Sequence, residues 1–535
     1  MKICISIFLV FIFSLSNLYA IDWQWSVEMK TYISPETGHH PRAFLWIPPT
    51  CNQVKGVVVG QHNMCEEVIF EHSAFRAAMT DLDFAIIWIT PGIDQQWNVA
   101  NGCQEYFDSI LKDLADVSGY SELQFAPIVP IGHSAMATFP WNFAAWNPER
   151  TLAIISYKGD APRTNLTGYG RENLEWGRTR NLDGIPGLMI EGEYEWWEAR
   201  VNPALAFKMM YPESCISFLC DTGQGHFDVS DKVVDYISLF LKKAAQYRLP
   251  QKQALDRVSE LIKIDNNKGW LAERWRSDES ERSQAAPVSQ YQGDIHDAFW
   301  YFDQEMAEAT ESYYSTTRGK KDQYIGFTQN GKLLPYDEKL HARITAKFIP
   351  LQDGLTFSLD AKYTDSMRVD LSNEHEKGKI NISRICGPVT QLDDTTFSVR
   401  FYRMGMLPTR RTGEVWLLAS SLGDENYKSS VQQISIQIPF PIKKGKEQEI
   451  TFKAIADTKI GTKSISLSAN STSNLPVHFY VKEGPIKVVG NKIIINEIPP
   501  RTKYPLKATV VAWQYGIDKI WQTAQPVERS FYINK

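Results

Sequence analysis

Between Phe125 and Met136 the chain reads Phe-Ala-Pro-Ile-Val-Pro-Ile-Gly-His-Ser-Ala-Met, an apolar run that ends in Gly132, His133 and Ser134. Directly afterwards Ala135, Ala137, Phe139, Phe143 and Trp146 mark a helix. A buried strand that passes into a helix through one sharp turn, with a serine at its apex, belongs to few folds. The turn lifts the Ser134 Oγ clear of its own backbone. It also sets the Ala135 N–H at a helix start, where negative charge on an oxygen is stabilised. The usual pattern of such a turn is Gly-x-Ser-x-Gly, and here Met136 takes the last position. That glycine lets helix and strand pack closely. A methionine therefore implies a more open turn or a compensating small neighbour.

A serine hydroxyl is a weak nucleophile and needs a base. One follows in order. Ile185–Ile190 reads as a buried strand that leads into Glu191-Gly192-Glu193-Tyr194-Glu195, and Cys215–Cys220 as another that empties into Asp221-Thr222-Gly223-Gln224-Gly225-His226-Phe227. Val229–Lys243 closes the region as a helix. Serine, acid and histidine at the ends of successive strands give a base whose pKa lies near neutrality and a carboxylate to hold its tautomer.

From about Lys55 to Ala245 the chain resembles the α/β-hydrolase superfamily. The resemblance implies a mostly parallel sheet with helices on both faces and a serine esterase with Ser134 as nucleophile and His226 as base. Glu195 is the preferred acid, because it sits in the turn after its strand; Glu193 and Asp160 are alternatives, and Asp221 and Asp228 read as loop and helix-cap residues. The run Lys55–Met64 fits the strand and loop that supply a second oxyanion donor, so that the N–H of Asn63 or Met64 joins that of Ala135. Each such donor is worth roughly 3–4 kcal/mol in the transition state. His62 orients this loop, meets substrate or is a structural histidine, and His133 packs beneath the turn.

A chain of 535 residues exceeds what one core usually serves. Residues 1–20 read as a secretory signal: Met1-Lys2, an apolar stretch from Ile3 to Ser14, and Leu18-Tyr19-Ala20 before the cut. Export to a bacterial periplasm, cell surface or medium follows, with no integral membrane segment in the mature chain. Of seven cysteines, six remain after Cys4 is removed with the signal. An oxidising compartment allows disulfides, and Cys65–Cys103 is one candidate pair. Cys215 and Cys220 lie too far apart along an extended strand to bond. No cysteine or histidine spacing reads as a metal site, and no cofactor is expected. A net charge of −5 without a basic stripe argues against nucleic acid.

Sixteen tryptophans are present. Trp141 and Trp146 fall on the helix after Ser134 and read as core. Trp97, Trp176, Trp196 and Trp197 fall on loops at the catalytic face, where an aromatic body suits a sugar ring or aromatic acyl group, or simply anchors the loop. The segment Asp160–Gly184 is polar and carries Arg163, Arg171, Arg178 and Arg180. It lacks the apolar helices of a lipase lid. Four arginines over a site suit an anionic glycan, or solvate a loop.

The catalytic domain is thus expected over residues 21–249. A mixed connector over 250–335 is expected to hold helices at Ala254–Ile264 and Ala298–Tyr314. Short alternating runs such as Ala342–Phe348, Thr396–Phe401 and Gln433–Ile438 predict a β-sandwich over 336–445. Residues 446–535, through Leu475–Pro485, Val488–Ile495 and Val510–Gln514, resemble a bacterial immunoglobulin-like domain, which implies a spacer or binding module. The combined expectation is an exported serine esterase acting on a poly- or oligosaccharide bearing acetyl, feruloyl or uronate methyl esters. A peptidase of the same fold and a catalytically inactive glycan-binding surface protein are the alternatives.

Overall fold

The computed structural model describes residues 23–163, 174–194, 197–278 and 281–535. The expected signal, Arg171, Glu195 and Trp196 lie outside the described residues. Eight strands form the first sheet: β1 (Trp25–Glu28), β2 (Arg42–Trp46), β3 (Gly56–Gln61), β4 (Phe84–Thr90), β5 (Ile128–His133), β6 (Ile154–Tyr157), β7 (Pro186–Gly192) and β8 (Cys215–Asp221). Their spatial order is β1-β2-β4-β3-β5-β6-β7-β8. The β1–β2 and β2–β4 pairs are antiparallel and the pairs from β4 onward are parallel. Runs such as Phe-Ala-Ile-Ile-Trp-Ile-Thr in β4 are buried along their whole length, as a strand covered on both faces requires.

The covering helices are α1 (Glu66–Glu71), α2 (Ser73–Leu82), α3 (Cys103–Ser118), α4 (Phe139–Trp146), α5 (Trp197–Met210) and α6 (Asp231–Arg248). One apolar cluster joins α2, α4 and α6 to one face of the sheet, and a second joins α3 to the other. Strand order, strand direction and helices on both faces are those of the α/β-hydrolase fold.

Residues 250–320 are not a linker. Ala254–Ile264 forms no helix, and the stretch read as one helix from Ala298 divides into strand β11 (Ala298–Tyr301) and helix α7 (Gln304–Ser315). The sequence Ala-Phe-Trp-Tyr is aromatic and suits a strand better than a helix. It pairs with β9 (Trp270–Glu273), which also pairs with β10 (Ala286–Pro287). This layer closes the β8 edge. Ser217 Oγ donates to the Trp300 carbonyl at 2.6 Å, Tyr301 Oη to that of Phe218 at 2.7 Å, and Cys220 N–H to Tyr314 Oη at 3.0 Å. An exposed edge strand is a pairing hazard, and these contacts remove it.

A first β-sandwich begins at Tyr324, earlier than expected, because Tyr324–Gln329 pairs with Asp360–Thr364. Its largest sheet holds Asn381–Cys386, Glu414–Ser421 and Ser430–Gln437. The second is built around His478–Glu483, Leu506–Trp513 and Val527–Asn534. It docks beside α3, where Arg501 pairs with Glu122 at 2.7 Å and lies over the Tyr120 ring.

A chain ending at Leu249 would expose β8 and the apolar residues that now face Trp275, Phe299 and Tyr314. Soluble yield is the measure, and such a chain is expected to aggregate where the full chain does not.

Candidate active site

β5 delivers Ser134 to a short 3₁₀ turn, Ser134–Met136, and α4 starts only at Phe139. The helix therefore begins four residues later than its apolar spacing implies. Ser134 has φ of 54°, a left-handed conformation that costs a non-glycine residue free energy. Gly132 is required here, since a Cβ would lie 2.0 Å from the Met136 carbonyl oxygen. Met136 is accommodated by a small neighbour, Gly92, whose Cβ would meet the Met136 methyl at 2.4 Å.

His226 arrives from the loop after β8, and its Nε2 lies 2.7 Å from Ser134 Oγ. This is the hydrogen-bond contact that a nucleophile and its general base require. The imidazole is buried. Burial, then His133, Arg200 and Lys158 nearby, push its pKa well below the ordinary histidine range, so it is neutral and able to take a proton. The amide of Ala135 lies in the first turn after Ser134, where no intrahelical acceptor exists for it.

Three further groups hold this pair. His133 Nδ1 is 3.3 Å from Asn63 Nδ2, which also donates to the His133 carbonyl at 2.9 Å. Since an amide nitrogen only donates, His133 Nδ1 accepts, and Nε2 carries the proton that it donates to the His226 carbonyl at 2.8 Å. Burial lowers the His133 pKa to about 3, so this strut stays neutral. Second, Lys158 lies fully buried between Asp221 at 2.9 Å and Asp228 at 2.7 Å, the residues that bracket the histidine loop. Tyr313 Oη donates to Asp221, and Asp228 accepts from Gly225 N–H at 2.8 Å. Burial alone would lower the Lys158 pKa, but the two carboxylates outweigh it and hold the ammonium charged. Asp228 is not the helix cap; Ser230 caps α6. Third, the first β-sandwich backs the histidine loop: Trp416 and His341 lie against Phe227 at 4.9 and 5.0 Å, and Gln224 Nε2 donates to Ser429 Oγ at 3.0 Å.

Of the proposed acids, two have other partners. Glu193 accepts from Gly223 N–H at 2.7 Å and pairs with Lys428 at 2.9 Å. Asp160 accepts from Thr138 Oγ1 at 3.4 Å and faces Arg200 at 3.9 Å. Glu195 lies outside the described residues.

The amides of Asn63 and Met64, expected at the oxyanion, instead each donate to Glu66 Oε2 at 3.0 Å. Glu66 is the first residue of α1, and its carboxylate folds back over the two residues that precede the Cys65 N-cap. Burial raises the Glu66 pKa to about 7, and the amides it accepts oppose that rise. His62 packs edge-on to Trp88 beneath the loop, and burial, then Arg411 and Arg384, lower its pKa to about 3.

Two tryptophans expected at a substrate surface are core. Trp97 packs against Phe107, Phe139 and Phe143, and Trp176 donates to Asn142 Oδ1 at 2.7 Å and packs on Phe207. Trp197 opens α5. Arg163 and Arg180 pack over Trp176 and Trp146, while Arg178 is exposed. Cys65 and Cys103 are free thiols in separate apolar clusters and do not pair. Among the described residues no group of three or more His, Cys, Asp or Glu is placed to hold a metal ion, and no helix is long and apolar enough to cross a membrane.

Sequence reasoning missed Lys158 and Glu66. Each is a charged residue directly after a strand or loop of the site, in Ser-Tyr-Lys-Gly-Asp and Asn-Met-Cys-Glu. Asn63-x-x-Glu66 was the one available signal, since a capping box has that spacing, although Cys65 is the N-cap here.

No family profile and no curated protein matches the chain. Among solved structures, the chain is similar to a fluorophosphonate-binding serine hydrolase F of Staphylococcus aureus, solved with substrate bound: 12% identity over 42% of this chain and 96% of that one, TM-score 0.28. It is likewise similar to Est1E from Butyrivibrio proteoclasticus, at 15% identity over 42% of this chain and all of that one, TM-score 0.27. A structure titled arylesterase aligns at 12% identity, with 42% and 88% covered and a TM-score of 0.30.

Lys158→Met leaves two buried carboxylates without their cation. It should cost about 3–5 kcal/mol in denaturant unfolding followed by tryptophan fluorescence. A second expectation concerns pH. The folded His133 stays neutral to about pH 3, whereas the unfolded residue takes a proton below its ordinary value near 6.5. Its stabilising contribution is therefore complete above pH 6.5 and lost as pH falls. His133→Gln should lose about 2 kcal/mol less stability than wild type between pH 7 and pH 5.

Proposed function

We propose that the chain is a serine hydrolase that cleaves carboxylic esters through an acyl-enzyme on Ser134. The observation that carries this reading is the 2.7 Å contact of His226 Nε2 with Ser134 Oγ, at a strained strand-to-helix turn. Neutral His226 takes the Ser134 proton as Oγ attacks the ester carbonyl, and returns it to the departing alkoxide. The Ala135 N–H faces the oxyanion of the tetrahedral intermediate. Water, deprotonated by His226, then releases the acyl group. We assign Glu195 as the carboxylate that pairs with His226; Glu193 accepts from Gly223 and pairs with Lys428, and Asp160 faces Arg200. The solved structures similar to this chain include proteins titled as serine hydrolases and esterases, in keeping with ester hydrolysis.

As substrate we propose an ester on a poly- or oligosaccharide, acetyl, feruloyl or uronate methyl, met outside the cytoplasm. The apolar first residues of the sequence and the two β-sandwiches support this reading. So does the polar composition of the segment between β6 and β7.

Mature protein should release p-nitrophenol from p-nitrophenyl acetate, and Ser134→Ala should not. Acetylated and methylated plant glycans, assayed for acetate and methanol, identify the ester. A folded wild type that turns over none of these sinks the esterase reading in favour of a peptidase or a binding protein. Glu195→Gln should lower kcat by about 10²–10⁴-fold with unchanged thermal stability; activity close to wild type would place the acid elsewhere.

A further inference from the structure

Helix α1 carries three glutamates with different tasks. Glu67 and Glu71 face the first β-sandwich, where Arg403 lies 2.6 and 2.7 Å from them and Arg384 lies 3.1 Å from Glu67. Glu66 turns the other way, is fully buried, and among the described residues has no ion pair. Its Oε2 accepts the amides of Asn63 and Met64, at 3.0 Å each, and its Oε1 accepts the amide of His133 at 2.8 Å.

The contacts to Asn63 and Met64 are local, within three residues of Glu66. The His133 amide belongs to β5, 67 residues away in the chain, and precedes the nucleophile. One buried carboxylate therefore ties the loop after β3 to the turn that presents Ser134. All three partners are donors, so the group must accept through both oxygens. A glutamine has the same shape but offers one acceptor and one donor, and leaves an N–H facing an N–H on one side.

We propose that Glu66 is a positioning residue of the hydrolytic reaction, fixing the spacing between the loop after β3 and the Ser134 turn, with Arg403 holding α1 and hence Glu66 in register. This rests on the serine hydrolase reading. Ser134 and Ala135 follow His133 directly, so a shift of that turn against the loop after β3 is expected to act on the transition state more than on substrate binding.

The test uses the full chain as wild type, Glu66→Gln, Arg403→Met and Ser134→Ala. Steady-state p-nitrophenyl acetate hydrolysis is read per active site, with sites counted by fluorophosphonate labelling of Ser134. Glu66→Gln should label to the wild-type stoichiometry, keep KM within about threefold and lose about 10–100-fold in kcat. Arg403→Met should shift kcat in the same direction by about 3–10-fold. A fully labelled Glu66→Gln with kcat within twofold of wild type overturns the proposal. If Glu66→Gln does not fold, Arg403→Met decides: an unchanged kcat overturns the proposal, and a lower kcat at unchanged KM supports it. Ser134→Ala with wild-type turnover overturns the hydrolase reading itself, an outcome separate from any result at Glu66.

Discussion

The catalytic geometry depends on a buried ion cluster. His226 sits on a glycine-bearing loop that would otherwise be free to move, and a base that moves by an ångström is not a base for Ser134. Lys158 removes that freedom by binding Asp221 where the loop leaves β8 and Asp228 just before α6. Taking three charges out of water is expensive, and such a cluster is weak evidence for stability. Its value is specificity: the two carboxylates can be satisfied only if the loop closes at one length. His133 then joins the loop to the turn before Ser134, so nucleophile and base share one set of buried hydrogen bonds.

The first β-sandwich is continuous with this arrangement. Trp416 and His341 pack on Phe227, and Ser429 bonds to Gln224. Lys428 neutralises Glu193, while Arg384 and Arg403 neutralise the acids of α1. The sandwich supplies countercharges and an apolar wall exactly where the hydrolase loops are polar and short of support. A tethered spacer would leave those carboxylates to water. Burial of Glu67 without Arg384 and Arg403 would be costly, so hydrolase and sandwich are expected to hold one another in place.

The parts of this that were legible in the sequence are those set by local pattern. Buried strands β5, β7 and β8 show as short apolar runs, and their order with Ser134 and His226 gives the fold class. Interactions between distant segments left no such trace. Lys158 looks like any charged residue after a strand, and its partners lie 63 and 70 positions on. Trp97 and Trp176 follow loop-like sequence yet are buried, because their partners come from α3, α4 and α5. Ala298–Tyr301 was read with the following helix, since an apolar run of four does not declare its period. The donors after β3 were misassigned because the spacing of Glu66 marks a helix start but not what else the carboxylate reaches.

The charges around His226 bear on the choice of acid. Lys158 and Arg200 are both cationic neighbours that disfavour an imidazolium. Yet the mechanism needs an imidazolium at each transition state, so a carboxylate must offset them. Glu191 lies 3.7 Å from Arg200, and burial, opposed by that arginine, pushes its pKa up to about 8. Asp160, raised by burial to about 6 and opposed by Arg200, spends its charge on that arginine. Glu193 spends its own on Lys428. In the proposed reaction that role is assigned to Glu195, three residues past the end of β7 in the sequence. Burial first, and those cations second, keep His226 neutral at rest, and a carboxylate partner offsets the same cations when the imidazole takes a proton.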